Sequence, residues 1–353
     1  MKANKSKINI KLALDSAIKK LSCTNKKTER DKRKNDIIFD AEILLAHALR
    51  MSPHPRADEP KRNIGIMTKK LNLDPNKNRV DDRAWLYGHP EYELTPARVK
   101  IFKNYIYRHA KGEPIAYITH HKEFYGLDFL VNKNVLIPRP ETELMVESVI
   151  EQIKKLSALK LSNFKLILID AGTGSGCIPI AIIKNLKSNQ QSPITDCYAF
   201  DISVLALRVA QKNAVSHGLN NRIKFFRGNL LEPIIKQFNN ETMGEWNNWN
   251  IILTANLPYL SQKIYRENHA ILKFEPKRAL LAKKNGLALY EKLIKQIKKF
   301  STFNFQLSIF FEIDPQQTKA ITKLIKKYLP RAITEIKKDL AGRNRLVVSN
   351  IQF

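Results

Sequence analysis

Four consecutive residues, Asn256-Leu257-Pro258-Tyr259, bring together a side-chain amide, a backbone carbonyl held ahead of a proline, and an aromatic face. They close the run Trp249-Asn250-Ile251-Ile252-Leu253-Thr254-Ala255 and so belong at the end of a buried strand. Such a trio can grip a planar NH2 group. The Asn256 side-chain oxygen and the Leu257 carbonyl can each accept one N–H, and the Tyr259 ring can pack on the plane. An amide nitrogen is a poor nucleophile because resonance spreads its lone pair. Acceptors on its two hydrogens push density back onto nitrogen and meet the positive charge that grows as it attacks an electrophilic carbon. No strong general base is required, because the proton can leave after the transfer.

A second cluster lies upstream. Leu166-Ile167-Leu168-Ile169-Asp170 runs into Ala171-Gly172-Thr173-Gly174-Ser175-Gly176, a strand feeding a glycine-rich turn. Ligands of open α/β sheets bind at that carboxyl edge, and glycine lets the backbone approach them with no Cβ in the way. The next apolar segment, Thr195 to Phe200, ends at Asp201, where a carboxylate can accept from both hydroxyls of a ribose. A third, Arg222 to Arg227, leads to Gly228-Asn229-Leu230, where Asn229 can bond an adenine amino group and Leu230 can pack on the ring. A glycine turn alone would serve a dinucleotide equally well, but no phosphate-binding lysine follows it, which argues against a nucleoside triphosphate. The two clusters together point to a methyl donor beside an amide or amine acceptor.

The elements that must position these residues follow from periodicity. Strands are expected at 165–170, 195–200, 222–227, 249–254, 305–312, 332–337 and 345–351, and helices at 141–157, 177–187, 203–217, 286–300 and 315–328. Alternation of apolar strands with amphipathic helices predicts a mostly parallel sheet covered on both faces. Glu123 to Val131, with Gly126 in its middle, reads as a hairpin. The N-terminal part reads as helices, with apolar stripes at Ile8, Leu12, Ala13, Ala17, Ile18 and Leu21, and at Ile37, Ile38, Ala41, Leu44, Leu45, Ala48 and Leu49. Thr95-Pro96 opens a further helix to about Ala110, with Thr95 as N-cap. Met51 to Asp82, with four prolines and many charges, reads as an inserted flexible surface segment.

Composition bounds the rest. The chain of 353 residues is long enough for two domains, and its 43% hydrophobic content fits a globular protein. No apolar run nears the roughly 20 residues of a membrane helix, and the basic N-terminus lacks the apolar core of a secretory signal. The 61 Lys and Arg against 33 Asp and Glu leave a net charge of +28. That fits an RNA partner or work within an RNA assembly; it fits equally a lysine-biased composition with solvated faces, since the lysines are spread. Direct nucleic-acid binding is therefore left open. Cys23, Cys177 and Cys197 have no Cys-x-x-Cys spacing, which points to a reducing, cytoplasmic setting without a zinc site. His120-His121, the one histidine pair, points to opposite faces in an extended segment, so no metal is expected.

From about Gly112 onward the chain resembles the peptide-chain-release-factor glutamine methyltransferases. The resemblance is carried by Gly112-Glu113-Pro114-Ile115-Ala116-Tyr117-Ile118, Glu123-Phe124, Leu136-Ile137-Pro138-Arg139-Pro140-Glu141-Thr142-Glu143, Asp170 to Gly176, Asp201 and Asn256 to Tyr259. It continues through Phe274-Glu275-Pro276, Ala279-Leu280, Gly286-Leu287 and Asp339-Leu340-Ala341-Gly342-Arg343, and residues 37–50 and Arg83 to Pro90 fit the family's N-terminal domain. The resemblance implies an α/β, Rossmann-like, seven-stranded methyltransferase domain over 138–353. It implies a small all-α substrate-recognition domain over 1–118 and a β-hairpin linker over 119–137. It implies S-adenosylmethionine as donor, held by Asp170, Gly172, Thr173, Gly174, Ser175, Gly176, Asp201, Asn229, Leu230 and Asn256. The acceptor would be the glutamine of a release factor's Gly-Gly-Gln loop, methylated at N5 and held by Asn256, Leu257, Pro258 and Tyr259. Arg139 and Glu141 would border the site; as a helix start headed by Pro140, they have an equally good structural reading.

Two departures stand out. The family usually carries Asn-Pro-Pro-Tyr, and here Leu257 stands at the first proline. The required carbonyl belongs to the backbone and survives, Pro258 still biases Leu257 to the extended region, and the lost proline lock should loosen the loop modestly. Asn-Leu-Pro-Tyr is also the form of ribosomal-RNA adenine dimethyltransferases, so an adenine acceptor stays open, as does a non-catalytic binding protein of the translation machinery. Residues 52–82 look like an insertion that leaves the site intact.

Overall fold

Leu166-Ile167-Leu168-Ile169-Asp170-Ala171 is buried at every position because it lies inside a seven-stranded sheet. The structure is a computed structural model and describes residues 7–25, 34–50, 80–158, 165–186, 193–238, 249–299 and 305–353. The expected insertion at 52–82 falls almost wholly outside the described residues. Two compact units divide the chain, Met1–Thr119 and His120–Phe353.

The first unit is helical: Ile10–Asn25, Lys34–Arg50, Val80–Gly88, Pro96–Ala110 and Ile115–Thr119. Its core gathers Ile10, Ala13, Ala17 and Leu21 with Ala41, Leu44, Leu45, Phe102 and Ile106. The first stripe therefore runs through Ile10 and not Leu12, which is 54% exposed; the helix begins at Ile10, and residues three to four apart from there share a face. Thr95 accepts from the Arg98 N–H at its helix start, as its type and place predict. Glu42 is buried here and its charge is matched by Arg83 at 2.7 Å, with the Tyr87 hydroxyl also donating to it.

In the second unit β1 (His121–Phe124) and β2 (Leu127–Leu130) form an antiparallel hairpin. The large sheet holds β3 (Leu166–Ala171), β4 (Asp196–Asp201), β5 (Lys224–Arg227), β6 (Asn250–Ala255), β7 (Gln306–Glu312), β8 (Ile333–Lys338) and β9 (Asn344–Gln352) in the order β5-β4-β3-β6-β7-β9-β8. The pairs from β5 to β7 are parallel, and β9 is antiparallel to both its neighbours. Each expected strand is present within about two residues of its expected ends.

The period of two explains the layers. Ile167, Ile169, Ile251, Leu253, Ile309 and Phe311 pack into one core with helix Ala288–Lys298 and helix Thr318–Tyr328. Leu166, Leu168, Ile252 and Phe310 face the other, formed with helices Glu143–Ala158, Cys177–Asn185 and Val204–Ser216. Phe124 and Phe129 of the hairpin bury in that second core. Asn213 ties the hairpin to the glycine turn: its Nδ2 donates to the Leu130 carbonyl at 3.0 Å and the Ser175 carbonyl at 2.8 Å, and its Oδ1 accepts from the Leu130 N–H at 2.7 Å.

The order reverses between β3 and β6. From β3 the chain builds outward through β4 and β5, then returns to lay β6 on β3's other side. The crevice at their carboxyl ends is where such sheets bind ligands, and both chemical clusters emerge there.

Candidate active site

The glycine turn leaves β3 with Gly172, Gly174 and Gly176 all at positive φ. It is docked on the end of β4, since the Gly172 and Thr173 N–H groups both donate to the Phe200 carbonyl, at 2.8 and 2.9 Å. Asp201 is fixed in turn: its Oδ2 accepts from the Gly174 N–H at 3.0 Å and its Oδ1 from the Ser203 N–H at 2.8 Å. A carboxylate offers about four lone-pair sites, so acceptor capacity remains. Ile202 follows at 43% exposure and presents an apolar face that sequence analysis did not single out. Leu230 is buried in the core with its backbone left-handed at φ 62, and the Asn229 carbonyl is held by Gln296 Nε2 at 3.3 Å.

Asp170 lies opposite Thr254 in the register of β3 and β6, and its Oδ1 accepts the Thr254 hydroxyl at 2.7 Å. Its Oδ2 and the Thr173 Oγ1 are buried without a well-formed hydrogen bond. Burial pushes the Asp170 carboxyl up to about 6, against the pull of the Thr173 and Thr254 hydroxyls and with a push from Asp201. The unfolded carboxyl titrates near 3.8 and the folded one near 6. Below both values the group contributes nothing. Between them the folded state holds the extra proton, so stability falls as pH rises, by about 3 kcal/mol in all. Chemical denaturation of wild type and Asp170→Asn from pH 4 to pH 7 should show the variant gaining on wild type across that window; a constant difference would count against it.

The second cluster begins where β6 ends. Asn256 Nδ2 donates to Thr142 Oγ1 at 3.0 Å, and Thr142 donates to Glu312 Oε2 at 2.6 Å. The Tyr259 hydroxyl donates to Glu312 Oε1 at 3.3 Å. The Leu257 N–H donates to the Tyr290 hydroxyl at 3.2 Å, and Tyr290 donates on to the Glu312 carbonyl. A proline at 257 could not make that bond, so part of the lost ring constraint is offset by a tether. Gln317 Nε2 holds the Tyr259 carbonyl at 2.9 Å. Burial raises the Tyr259 phenol and the Glu312 carboxyl above their ordinary ranges, and the Thr142 hydroxyl and Arg345 oppose it at Glu312.

The two halves touch. The Leu257 side chain is 2% exposed, and a Cβ added to Gly172 would come within 2.9 Å of its Cδ2. A cavity of about 250 Å³ opens beside this contact, lined among others by Arg139, Asn256, Tyr259, Ile264, Leu272 and Leu280. Arg139 pairs there with buried Glu275, which also accepts the Ile137 N–H at 3.3 Å. Glu141 faces Arg343 at 3.8 Å, in a 3-10 turn over Pro140–Thr142. Of these two candidates, Arg139 lines the cavity and Glu141 is absent from its described lining.

Sequence reasoning missed Thr142, Tyr290, Glu312 and Gln317 as supports of the 256–259 segment. Glu312 carried a usable signal, an acidic residue ending a strand of otherwise apolar character. Among the described residues, no group of three or more His, Cys, Asp or Glu could hold a metal, and no helix is long and apolar enough to cross a membrane.

The sheet, its reversal point and the two clusters define a Rossmann-like methyltransferase fold. Comparison with known proteins narrows this. The PrmC N-terminal domain family matches residues 82–119. A release factor glutamine methyltransferase of Flavobacterium psychrophilum is 34% identical over 267 residues, 74% of this chain and 84% of that one. One from Bacillus cereus is 30% identical over 272 residues, 77% and 88% of the two chains. A bifunctional methyltransferase of Rickettsia typhi is 34% identical over 267 residues, 72% of this chain and 48% of that one. The chain belongs to the release factor glutamine methyltransferase family.

Proposed function

We propose that this chain methylates the side-chain amide nitrogen of the glutamine in the Gly-Gly-Gln loop of peptide chain release factors, with S-adenosylmethionine as donor. One observation carries the reading. Asn256 Oδ1 and the Leu257 carbonyl oxygen accept no hydrogen bond from the described residues, while the other polar groups of both residues facing the Thr142 and Tyr290 hydroxyls are engaged. Two unspent acceptors one residue apart, beside a cavity, suit an NH2 group.

The donor half fits a cationic adenosyl ligand. Asp170 and Thr173 keep buried polar atoms without well-formed bonds, the turn opens on free space at Gly174, Asp201 retains acceptor capacity for ribose hydroxyls, and Ile202, Asn229 and Leu230 suit an adenine. When bound, the donor supplies a methyl group on a positively charged sulfur. The chain's own residues then act on the acceptor. Asn256 and Leu257 hold both amide hydrogens and strengthen their hold as charge develops on nitrogen. Tyr259, its hydroxyl anchored on Glu312, keeps the amide plane in line. One amide proton passes to solvent after the transfer.

The test is direct. Purified protein with labelled donor and either release factor or RNA should place the label on the release-factor glutamine side chain, located by mass mapping. Label on adenine, or donor bound with no transfer to either, would overturn the assignment.

A further inference from the structure

We propose that Thr142 and Glu312 form a positioning pair that fixes which way round the Asn256 carboxamide faces, so that its oxygen and not its NH2 meets the acceptor. This rests on the function proposed above. A carboxamide has two ends of nearly the same shape, and a half-turn exchanges acceptor for donor. With Asn256 reversed, its NH2 would confront the acceptor's NH2, donor against donor. Something outside Asn256 has to choose.

The choice is made at β7. Glu312 ends that strand at 2% exposure, and both its carboxylate oxygens accept, Oε1 from the Tyr259 hydroxyl and Oε2 from Thr142. Thr142 Oγ1 lies 2.6 Å from Glu312 Oε2, so the hydroxyl hydrogen is spent there. With that hydrogen committed, Thr142 Oγ1 can only accept from its other neighbour, and Asn256 at 3.0 Å must present Nδ2. Donation therefore runs one way, from Asn256 to Thr142 to Glu312, and Asn256 Oδ1 is turned to the far side. Thr142 is itself buried, so water does not compete for its lone pairs.

Glu312 serves the neighbouring groups through other atoms. Its second carboxylate oxygen takes the Tyr259 hydroxyl. Its carbonyl takes the Tyr290 hydroxyl, which takes the Leu257 N–H. One residue thereby orients Asn256, Leu257 and Tyr259. A buried carboxylate is a poor way to stabilise a core, since an apolar residue of similar size does as well or better. Its hydrogen-bonding polarity, which no apolar residue reproduces, gives it a use here.

Two substitutions in the full chain separate orientation from packing. Thr142→Val keeps the shape and removes the hydroxyl; Thr142→Ser keeps the hydroxyl. With release factor as acceptor, Thr142→Val should lower kcat on the order of 10- to 100-fold while donor Kd by calorimetry stays within about threefold. Thr142→Ser should restore kcat to within about threefold of wild type. Thr142→Val at wild-type turnover, or Thr142→Ser as impaired as Thr142→Val, overturns the pair. A second readout needs no activity: in wild type the Asn256 side-chain NH2 protons should show nuclear Overhauser contacts to the Thr142 methyl, and their absence also overturns it. Wild type that fails to methylate release factor refutes the proposed function instead, and the NMR contacts then decide the pair alone.

Discussion

Replacing Asn256 by alanine should lower turnover by about 10²- to 10³-fold, equivalent to roughly 3–4 kcal/mol of transition-state stabilisation. The size follows from what is removed. An amide nitrogen gains positive character only as the new bond forms, so an acceptor on its hydrogen interacts more strongly in the transition state than in the ground state. The loss should therefore fall on kcat more than on KM. Donor binding should be much less affected, because the glycine turn is held from β4 through the Phe200 carbonyl and Asp201, with no hydrogen bond from Asn256. Alanine also strands the Thr142 lone pair that Asn256 Nδ2 had filled. That costs a further 1 kcal/mol or so of stability, visible as a lower denaturation midpoint. Steady-state methylation with labelled donor, alongside calorimetry of donor binding, separates the two effects. Turnover equal to wild type would remove Asn256 from the chemistry.

Gly286→Ala should be nearly as damaging, by a route that involves no reacting group. Gly286 sits at φ 88, a left-handed conformation that other residues rarely adopt. A Cβ there would overlap the Tyr259 carbonyl oxygen and the Gln317 side-chain nitrogen that holds it. Neither is the free end of a flexible chain: one is backbone, and the other is tied to both the Tyr259 and Asn285 carbonyls, at 2.9 and 2.8 Å. The added methyl must push Tyr259 off its place or unfold the 283–288 turn. Left-handed strain and overpacking together should cost about 3 kcal/mol in stability, and a displaced Tyr259 should lower kcat by about 10- to 100-fold in the protein that stays folded. Denaturation with turnover measured below the transition checks both. A variant with wild-type stability and rate would mean that this contact does not constrain Tyr259.

The two results probe parts of the site that differ in how readable they were. Asn256 announces itself: an amide after an apolar strand and before a proline and an aromatic is a compact constellation. Asp201 did so likewise, at the end of a strand with the expected period. Gly286 and Gln317 did not, because their significance is a single contact with a carbonyl nearly 30 residues away from one and nearly 60 from the other. Ile202 was overlooked because an apolar residue next to a buried strand reads as core; only its exposure sets it apart. In the N-terminal unit the first stripe held at Ala13, Ala17 and Leu21 and failed at Leu12, whose place on the buried face is taken by Ile10, because helix phase depends on where the first turn begins. Arg139 and Glu141, adjacent but for one proline, were alike as candidates, yet one lines the cavity beside Asn256 and the other faces Arg343.

Local chemistry and periodicity, which are written along the chain, were enough to place the strands and the two clusters at the ends of β3 and β6; the reversal that sets β6 beside β3 came only with the fold. The direction in which Asn256 faces, the tether on Leu257 and the clamp on Tyr259 were settled only by folding. Each depends on hydrogen bonds to Thr142, Tyr290, Glu312 and Gln317, whose partners lie 22 to 170 residues away. Hydrogen bonds demand that particular atoms meet within about 3 Å, and a pattern of residue types along a chain does not carry that information.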